Sequence, residues 1–213
     1  MSAKLSAPRF PKLPPSLAAF FGLLWVGLLV SGLTLLHRYD NAPGSAGSAP
    51  AVWPAASRVR RTAGKATLVL IAHPKCSCTR ATLEDLTALM TQSTGKVFAH
   101  VLFFKPKGAG DDWAHTALWR TAEAIPGVTV SCDEGGLEAK LFGGETSGDV
   151  YLYDARGRLA FHGGITAARG EAGTNAGQTA LAMLLAGNQT SQARTPVFGC
   201  PVAISTPNRS LTP

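Results

Sequence analysis

Two cysteines one residue apart, Cys76 and Cys78, stand in the run His73-Pro74-Lys75-Cys76-Ser77-Cys78, directly after an apolar stretch and directly before one with helical spacing. That position suits thiol chemistry. A cysteine that opens a helix meets unpaired backbone N–H groups and the positive end of the helix dipole, and both favour the thiolate, the reactive form. Lys75 and Arg80 add positive charge close by in sequence, so Cys76 is expected to ionise below the ordinary thiol value of about 8.5. Pro74 ends the strand and fixes the approach to the motif, while His73 is placed to tune the thiolate or exchange its proton.

The single intervening residue, Ser77, is the unusual feature. Successive helical positions i and i+2 point to different faces, so Cys76 and Cys78 cannot be bridged inside a regular helix, and Cys76 must precede the first turn if they pair. The redox expectation is Cys76 as attacking thiolate and Cys78 as resolving partner, with Cys132 a second candidate for that partner. Cys200, in Thr195-Pro196-Val197-Phe198-Gly199-Cys200-Pro201, belongs to a segment where a polar tail turns apolar and is expected to pack back on the domain. Its thiol either reaches the site or enters a structural disulfide. Metal binding is the competing reading: His73, Cys76 and Cys78, with His162 or Cys132, offer soft ligands suited to copper(I). On the redox reading no cofactor is expected. The bland reading, two cysteines without chemistry, fits poorly with export, because free thiols outside the cytoplasm tend to be oxidised or metal-bound.

The elements that must position these residues begin at Lys65. Ala66 to Ala72 is a nearly continuous apolar run, as in a strand buried on both faces. Thr79 to Thr91 carries Leu83, Leu86 and Met90 at helical spacing, with Glu84 and Asp85 on the other side as solvated charges. Lys96 to Phe104 reads as a second strand. Asp111 or Asp112 can cap a helix through Trp113 and Trp119 to Ala124, where Pro126-Gly127 ends it. Val128 to Ser131 is a third strand, and Leu137 to Phe142 a helix. Asp149 to Tyr153 and Arg158 to His162 flank Asp154-Ala155-Arg156-Gly157 as a hairpin. Asn175 to Ala186 closes the domain as a helix, with Asn175 and Gln178 as a capping box and Gly187 after the last turn. Two right-handed crossovers make the first three strands parallel, and the hairpin adds an antiparallel edge. The expectation is an α/β, thioredoxin-like three-layer domain with a mixed sheet. Parallel strands share a carboxyl edge, where ligands bind in open α/β folds; Cys132 is a candidate to reach that edge beside Cys76 and equally a buried strand residue, and His162 is a candidate neighbour but reads first as a hairpin-end residue without a ligand role.

Leu17 to Leu36 is a run of twenty residues without a charge, the length of a membrane-spanning helix. Lys4, Arg9 and Lys12 precede it, so the amino terminus is expected in the cytoplasm and the rest of the chain outside. A cleaved signal peptide is the rival, disfavoured because twenty residues exceed the usual apolar core of about 7 to 15. Asn41 to Ala56, rich in Pro, Gly, Ala and Ser, reads as a tether. The expected organisation is a cytoplasmic segment over 1–16, a transmembrane helix over 17–36, a flexible linker over 37–57, a domain over 58–190 and a tail over 191–213. The formal net charge of +7 is uneven: residues 1 to 80 hold ten basic groups and one acid, and the remainder ten basic groups and twelve acids. The bulk of the folded part, from residue 81 on, therefore has no basic excess, which argues against nucleic acid as a partner. The glycines at Gly163-Gly164 and Gly170 to Gly173 lack phosphate-loop spacing and read as turns.

The run His73 to Leu83 resembles the RedB-type, membrane-anchored thioredoxin-like proteins of bacteria. So do Asp133-Glu134-Gly135-Gly136, Thr146-Ser147-Gly148, Gly163-Gly164-Ile165-Thr166-Ala167-Ala168-Arg169-Gly170 and Thr195 to Pro201. The resemblance covers Ala66 to Pro201 and implies a thioredoxin-like fold and redox activity. It further implies a single-pass protein of the bacterial inner membrane, its domain facing the periplasm, with lipid around the anchor and a redox partner protein of unspecified identity. The chain departs from ordinary thioredoxins by its one-residue cysteine spacer. It also has no proline before Asp149, where thioredoxins carry a cis-proline that receives the substrate backbone.

Overall fold

Ala66–Ala72 forms β1, all buried but its first residue, because its apolar side chains are covered on both faces of the sheet. The computed structural model of the chain describes residues 14–45, 47–62 and 64–202; most of the expected segment 1–16, and residues 203–213 of the expected tail, lie outside these. After β1 come α2 (Ser77–Gln92), β2 (Val97–Lys105), α3 (Ala117–Glu123), β3 (Val128–Glu134), α4 (Leu137–Phe142), β4 (Val150–Tyr153), β5 (Leu159–Gly163) and α5 (Ala176–Leu185). Ahead of them lies α1, Pro15–Asp40.

The five strands form one sheet in the order β3-β2-β1-β4-β5. β1 pairs parallel with β2 and β2 with β3, while β4 is antiparallel to both β1 and β5. Strand alternation sorts the side chains into two cores. Leu68, Leu70, Val101, Phe103, Val150 and Leu152 face α2, α3 and α5. Val69, Ile71, Leu102, Tyr151 and Tyr153 face α4. Helix, sheet and helix make the three layers expected from the sequence.

α1 belongs to a separate unit that ends at Tyr39. Its 26 residues rise about 39 Å at 1.5 Å per residue, enough for a hydrocarbon core of about 30 Å. None of its side chains is buried, and by length and composition it is a candidate membrane span. It outruns the apolar stretch 17–36 at both ends.

The structure corrects four local expectations. The linker 37–57 is not a free tether throughout. Trp53 lies 5.1 Å from the rings of both Phe142 and Tyr153 in edge contacts, and its backbone N–H donates to the Gly157 carbonyl at 2.8 Å; an indole ring covers more apolar area than a flexible strap can leave in water. The single helix expected over 111–124 is broken into a short 3₁₀ turn, Asp111–Trp113, and α3. The break is stabilised from outside: the Thr116 hydroxyl donates to the Pro74 carbonyl at 3.0 Å. Asp85 is not solvated but 3% exposed, and accepts the Gly173 N–H at 2.9 Å. Burial raises its pKa, partly offset by that hydrogen bond. The capping box is half-formed: Asn175 Oδ1 accepts from Gln178 N at 3.0 Å, but the Gln178 side chain reaches the Asp85 carbonyl instead.

Candidate functional site

Cys76 is the N-cap of α2, with extended backbone at φ −103° and ψ 125°. Pro74 cannot continue the strand ladder, and the turn that follows it is closed by Cys76 N–H donating to the His73 carbonyl at 3.2 Å. The same carbonyl accepts the Thr79 hydroxyl at 3.0 Å. Ser147, in the loop ahead of β4, completes the frame: its hydroxyl oxygen accepts the His73 N–H at 2.9 Å and lies 2.9 Å from the Thr79 hydroxyl. Gly148 N–H donates to the Ile71 carbonyl and Ile71 N–H to the Asp149 carbonyl, so this loop is an extension of the β1–β4 pairing and has no freedom to drift.

The sulfur of Cys76 lies 2.8 Å from that of Cys200. Cys200 arrives on a strap, Pro196 to Val202, that crosses the mouth of the site. Ser147 N–H donates to the Cys200 carbonyl at 2.8 Å, Val202 N–H to the Glu145 carbonyl at 2.8 Å, and Gly164 N–H to the Pro196 carbonyl at 3.2 Å. At Gly199 the strap passes so close to the Ser147 carbonyl that a Cβ would collide with it. Arg169 donates to the Gly199 carbonyl from the other side.

Cys76 is 2% exposed and Cys78 5%. Both are covered, yet neither belongs to either apolar core; Cys200 and polar backbone groups are what meet the Cys76 sulfur. Burial alone would raise the pKa of Cys76. The hydrogen bond shared with the Cys200 thiol and those with the amides of Cys200, Cys78 and Thr79 outweigh it and leave Cys76 below the ordinary thiol value. The pKa of Cys78 is raised, by burial first and then by the charge on Cys76, against an opposing pull from Arg169. Burial and its hydrogen bond to Cys76 push Cys200 up to about 12. Hydrogen bonding thus lowers the pKa of one sulfur, while burial and that sulfur raise those of its two neighbours.

The other residues singled out in the sequence are placed elsewhere. His73 stacks on Phe104 at 6.0 Å and meets the Trp113 ring edge-on; burial, then the charge of Lys75, lowers its pKa. Lys75 places its ammonium 4.6 Å from the centre of the Trp113 ring. Arg169, not Lys75 or Arg80, is the cation that acts on the thiols, at Cys78 and Cys200. Cys132 does share the carboxyl edge, but β2 stands between its strand and β1, a lateral offset of about 9 to 10 Å. Its pKa is raised by burial, and its charged neighbours are Lys105, Asp111 and Glu134. Cys200 occupies the position at Cys76 for which Cys132 was a candidate.

His162 is corrected more sharply. It pairs in register with Tyr151 and therefore faces the core on the side away from α2. Its Nε2 lies 2.9 Å from Asp149 Oδ1, and its ring stacks on Tyr151 at 4.7 Å. The Tyr151 hydroxyl donates to the other Asp149 oxygen at 2.7 Å. The set expected to hold copper(I), His73, Cys76, Cys78 and His162, is thus divided between the two faces of the sheet. Among the described residues no three His, Cys, Asp or Glu side chains are grouped to hold a metal ion.

Three residues that frame the site escaped the sequence reading: Ser147, Thr79 and Arg169. Each lies inside a motif that the resemblance marks, but no local pattern distinguishes a hydroxyl or guanidinium that bridges distant segments.

No family model matches the chain, and no curated protein does. Solved structures do. A hypothetical protein from Sinorhizobium meliloti is 19% identical, with 78% of this chain and 96% of that one aligned at a TM-score of 0.54. An uncharacterized conserved protein from Geobacillus kaustophilus is 17% identical, covering 79% and 94%, also at 0.54. A secreted disulfide oxidoreductase from Mycobacterium tuberculosis, described as homologous to Escherichia coli DsbE, is 15% identical over 59% and 83% at a TM-score of 0.43. The fold is thioredoxin-like. Two parallel strands and an antiparallel hairpin, in the order β2-β1-β4-β5, make up its central sheet, and α3 with β3 extends it at one side.

Proposed function

We propose that the chain is a membrane-anchored, RedB-type thiol-disulfide exchange protein, with α1 as its anchor, the domain on the extracytoplasmic side and Cys76 as the attacking thiolate. One observation carries the reading: a sulfur at the N-cap of α2, 2.8 Å from the sulfur of Cys200, with its pKa below the usual thiol value. Attack on a disulfide requires the thiolate, and a thiol with its pKa near ambient pH combines charge with nucleophilicity best. The reaction places the Cys76 sulfur on one sulfur of a substrate disulfide, forming a mixed disulfide and releasing the other sulfur as a thiolate. The partner is a protein or peptide that carries a disulfide or dithiol. The basic residues before α1 and the near-neutral charge of the domain support the sidedness.

The test uses the full-length protein in lipid nanodiscs, mixed with a disulfide-bridged peptide and sampled for mixed disulfides. Exchange should be lost in Cys76→Ser, and Cys76→Ser exchanging at the wild-type rate would refute the proposal. Sidedness is checked with a membrane-impermeant maleimide on intact spheroplasts. The half-buried Cys132 should label without lysis; labelling only after lysis would put the domain in the cytosol.

A further inference from the structure

An attacking thiolate needs a second thiol to release the product, and the motif itself offers Cys78. The geometry favours another. Cys78 lies within the first turn of α2, so a bond to Cys76 would close a ring over Ser77 alone and draw the N-cap residue out of its extended conformation. Cys200 already stands 2.8 Å from Cys76, on a segment 124 residues away in sequence. Bringing the two sulfurs to the bonding distance of about 2.05 Å asks for movement of well under 1 Å and disturbs no helical residue.

The strap is built to hold that thiol. Backbone pairing to Glu145 and Ser147 on one side of Cys200 and to Gly164 further back fixes its register. The glycine preceding it fits only because it has no side chain, and Arg169 ties the Gly199 carbonyl. Val197 and Val202 are buried at either end. Cys200 itself is half-exposed, and the strap is what covers Cys76.

Resting on the exchange reading above, we propose that Cys200 is the resolving thiol of Cys76, delivered by the Pro196 to Val202 strap, and that the product of exchange is a Cys76–Cys200 disulfide. The Cys76 thiolate attacks a substrate disulfide, the substrate S–S bond breaks, and the departing thiolate takes the Cys200 proton. Cys200, now a thiolate, attacks the Cys76 sulfur; the mixed disulfide breaks and the second substrate sulfur leaves with its electron pair, to be protonated by water. Two electrons pass from the Cys76 and Cys200 pair to the substrate, which becomes a dithiol. Part of what raises the pKa of Cys200 is the hydrogen bond and charge of Cys76, and that part is removed once the Cys76 sulfur has entered the mixed disulfide, which frees the Cys200 proton for the leaving thiolate.

A single-turnover experiment decides the matter. Reduced full-length protein in nanodiscs is mixed with one equivalent of a disulfide-bridged peptide, quenched in acid, alkylated and mapped by mass spectrometry. Wild type should yield the Cys76–Cys200 bridge and a fully reduced peptide. Cys200→Ser should hold the peptide on Cys76 at least about tenfold longer, since an oriented intramolecular thiol is lost, whereas Cys78→Ser should still form the Cys76–Cys200 bridge. Gly199→Val keeps every sulfur but unseats the strap, and should trap the mixed disulfide in the same way. A Cys76–Cys78 bridge in wild type, with trapping in Cys78→Ser only, would overturn the assignment while leaving exchange intact. Trapping in neither Cys200→Ser nor Gly199→Val would also overturn it. Failure of Cys76 to form a mixed disulfide in any variant would instead remove the exchange reading, and this inference with it.

Discussion

The hydroxyl of Ser147 lies 2.9 Å from that of Thr79, so the loop before β4 and the first turn of α2 are locked together beside the Cys76 sulfur. The same Ser147 oxygen accepts the His73 N–H. Ser147→Ala would leave a buried hydroxyl and an amide without that partner, at a cost of about 1 to 3 kcal/mol. The melting temperature should fall by a few degrees, and alkylation of Cys76 should change more than that of Cys132. Equal effects on both thiols would mean that the bridge supports the fold generally and not the site.

The reactivity of Cys76 should be set by its ring of donors. Alkylation rates measured from pH 5 to 10 should rise to their half-maximum below the ordinary thiol pKa. In Cys200→Ala the curve should shift to higher pH, because a hydrogen bond that lowers the pKa is gone while the burial that raises it remains in part. A shift to lower pH would mean that desolvation by the strap, not hydrogen bonding, dominates.

Asp85 gives a stability signature with a definite sign. Its folded pKa is raised by burial, so the folded state binds the extra proton between the unfolded value and the raised one. That contribution is fully present below the unfolded pKa and is lost as the pH rises through the folded value. Asp85→Asn cannot ionise, so its melting temperature should fall less than that of wild type between pH 3 and 7. Parallel curves would show that the carboxylate is not desolvated in solution.

How much of this was legible beforehand follows from the range of each contact. The placement of Cys76 is a local matter, an apolar run, a proline and a helical pattern in one window, and the sequence carried it. Burial of Asp85 depends on the loop before α5 closing over α2, and the amphipathic pattern of α2 alone put it outside. His162 turned on hairpin register: one residue decides which face of the sheet a side chain takes. Cys132 met the right edge but the wrong strand, since element order gives direction without lateral order. Trp53 hid in a Gly- and Ala-rich run whose composition says linker, although one large ring was enough to seat it.

That ring is the next test. Trp53→Ala removes contacts to Phe142 and Tyr153, and a half-buried indole should be worth about 1 to 3 kcal/mol. The expected drop in melting temperature is a few degrees, with faster exchange of the backbone amide at position 53, which donates to the Gly157 carbonyl. No change in stability would return residues 47–53 to the status of a tether.

Arg169 acts on two thiols and one carbonyl. Arg169→Gln should raise the pKa of both Cys78 and Cys200, because the guanidinium lowers each, and should speed amide exchange over Val197 to Val202. Unaltered exchange there would show that the strap is held by its backbone pairing alone.

The 124 residues that separate Cys76 from Cys200 also set an order in time. At about 5 to 20 residues per second, roughly 6 to 25 s of synthesis pass between the two. Throughout that interval the nascent chain holds a cysteine at 76 whose intended neighbour does not yet exist, with Cys78 and then Cys132 the thiols already made. The last-made part of the domain is therefore the part that shields the first-made sulfur, and maturation is most exposed to mispairing before the ribosome has finished.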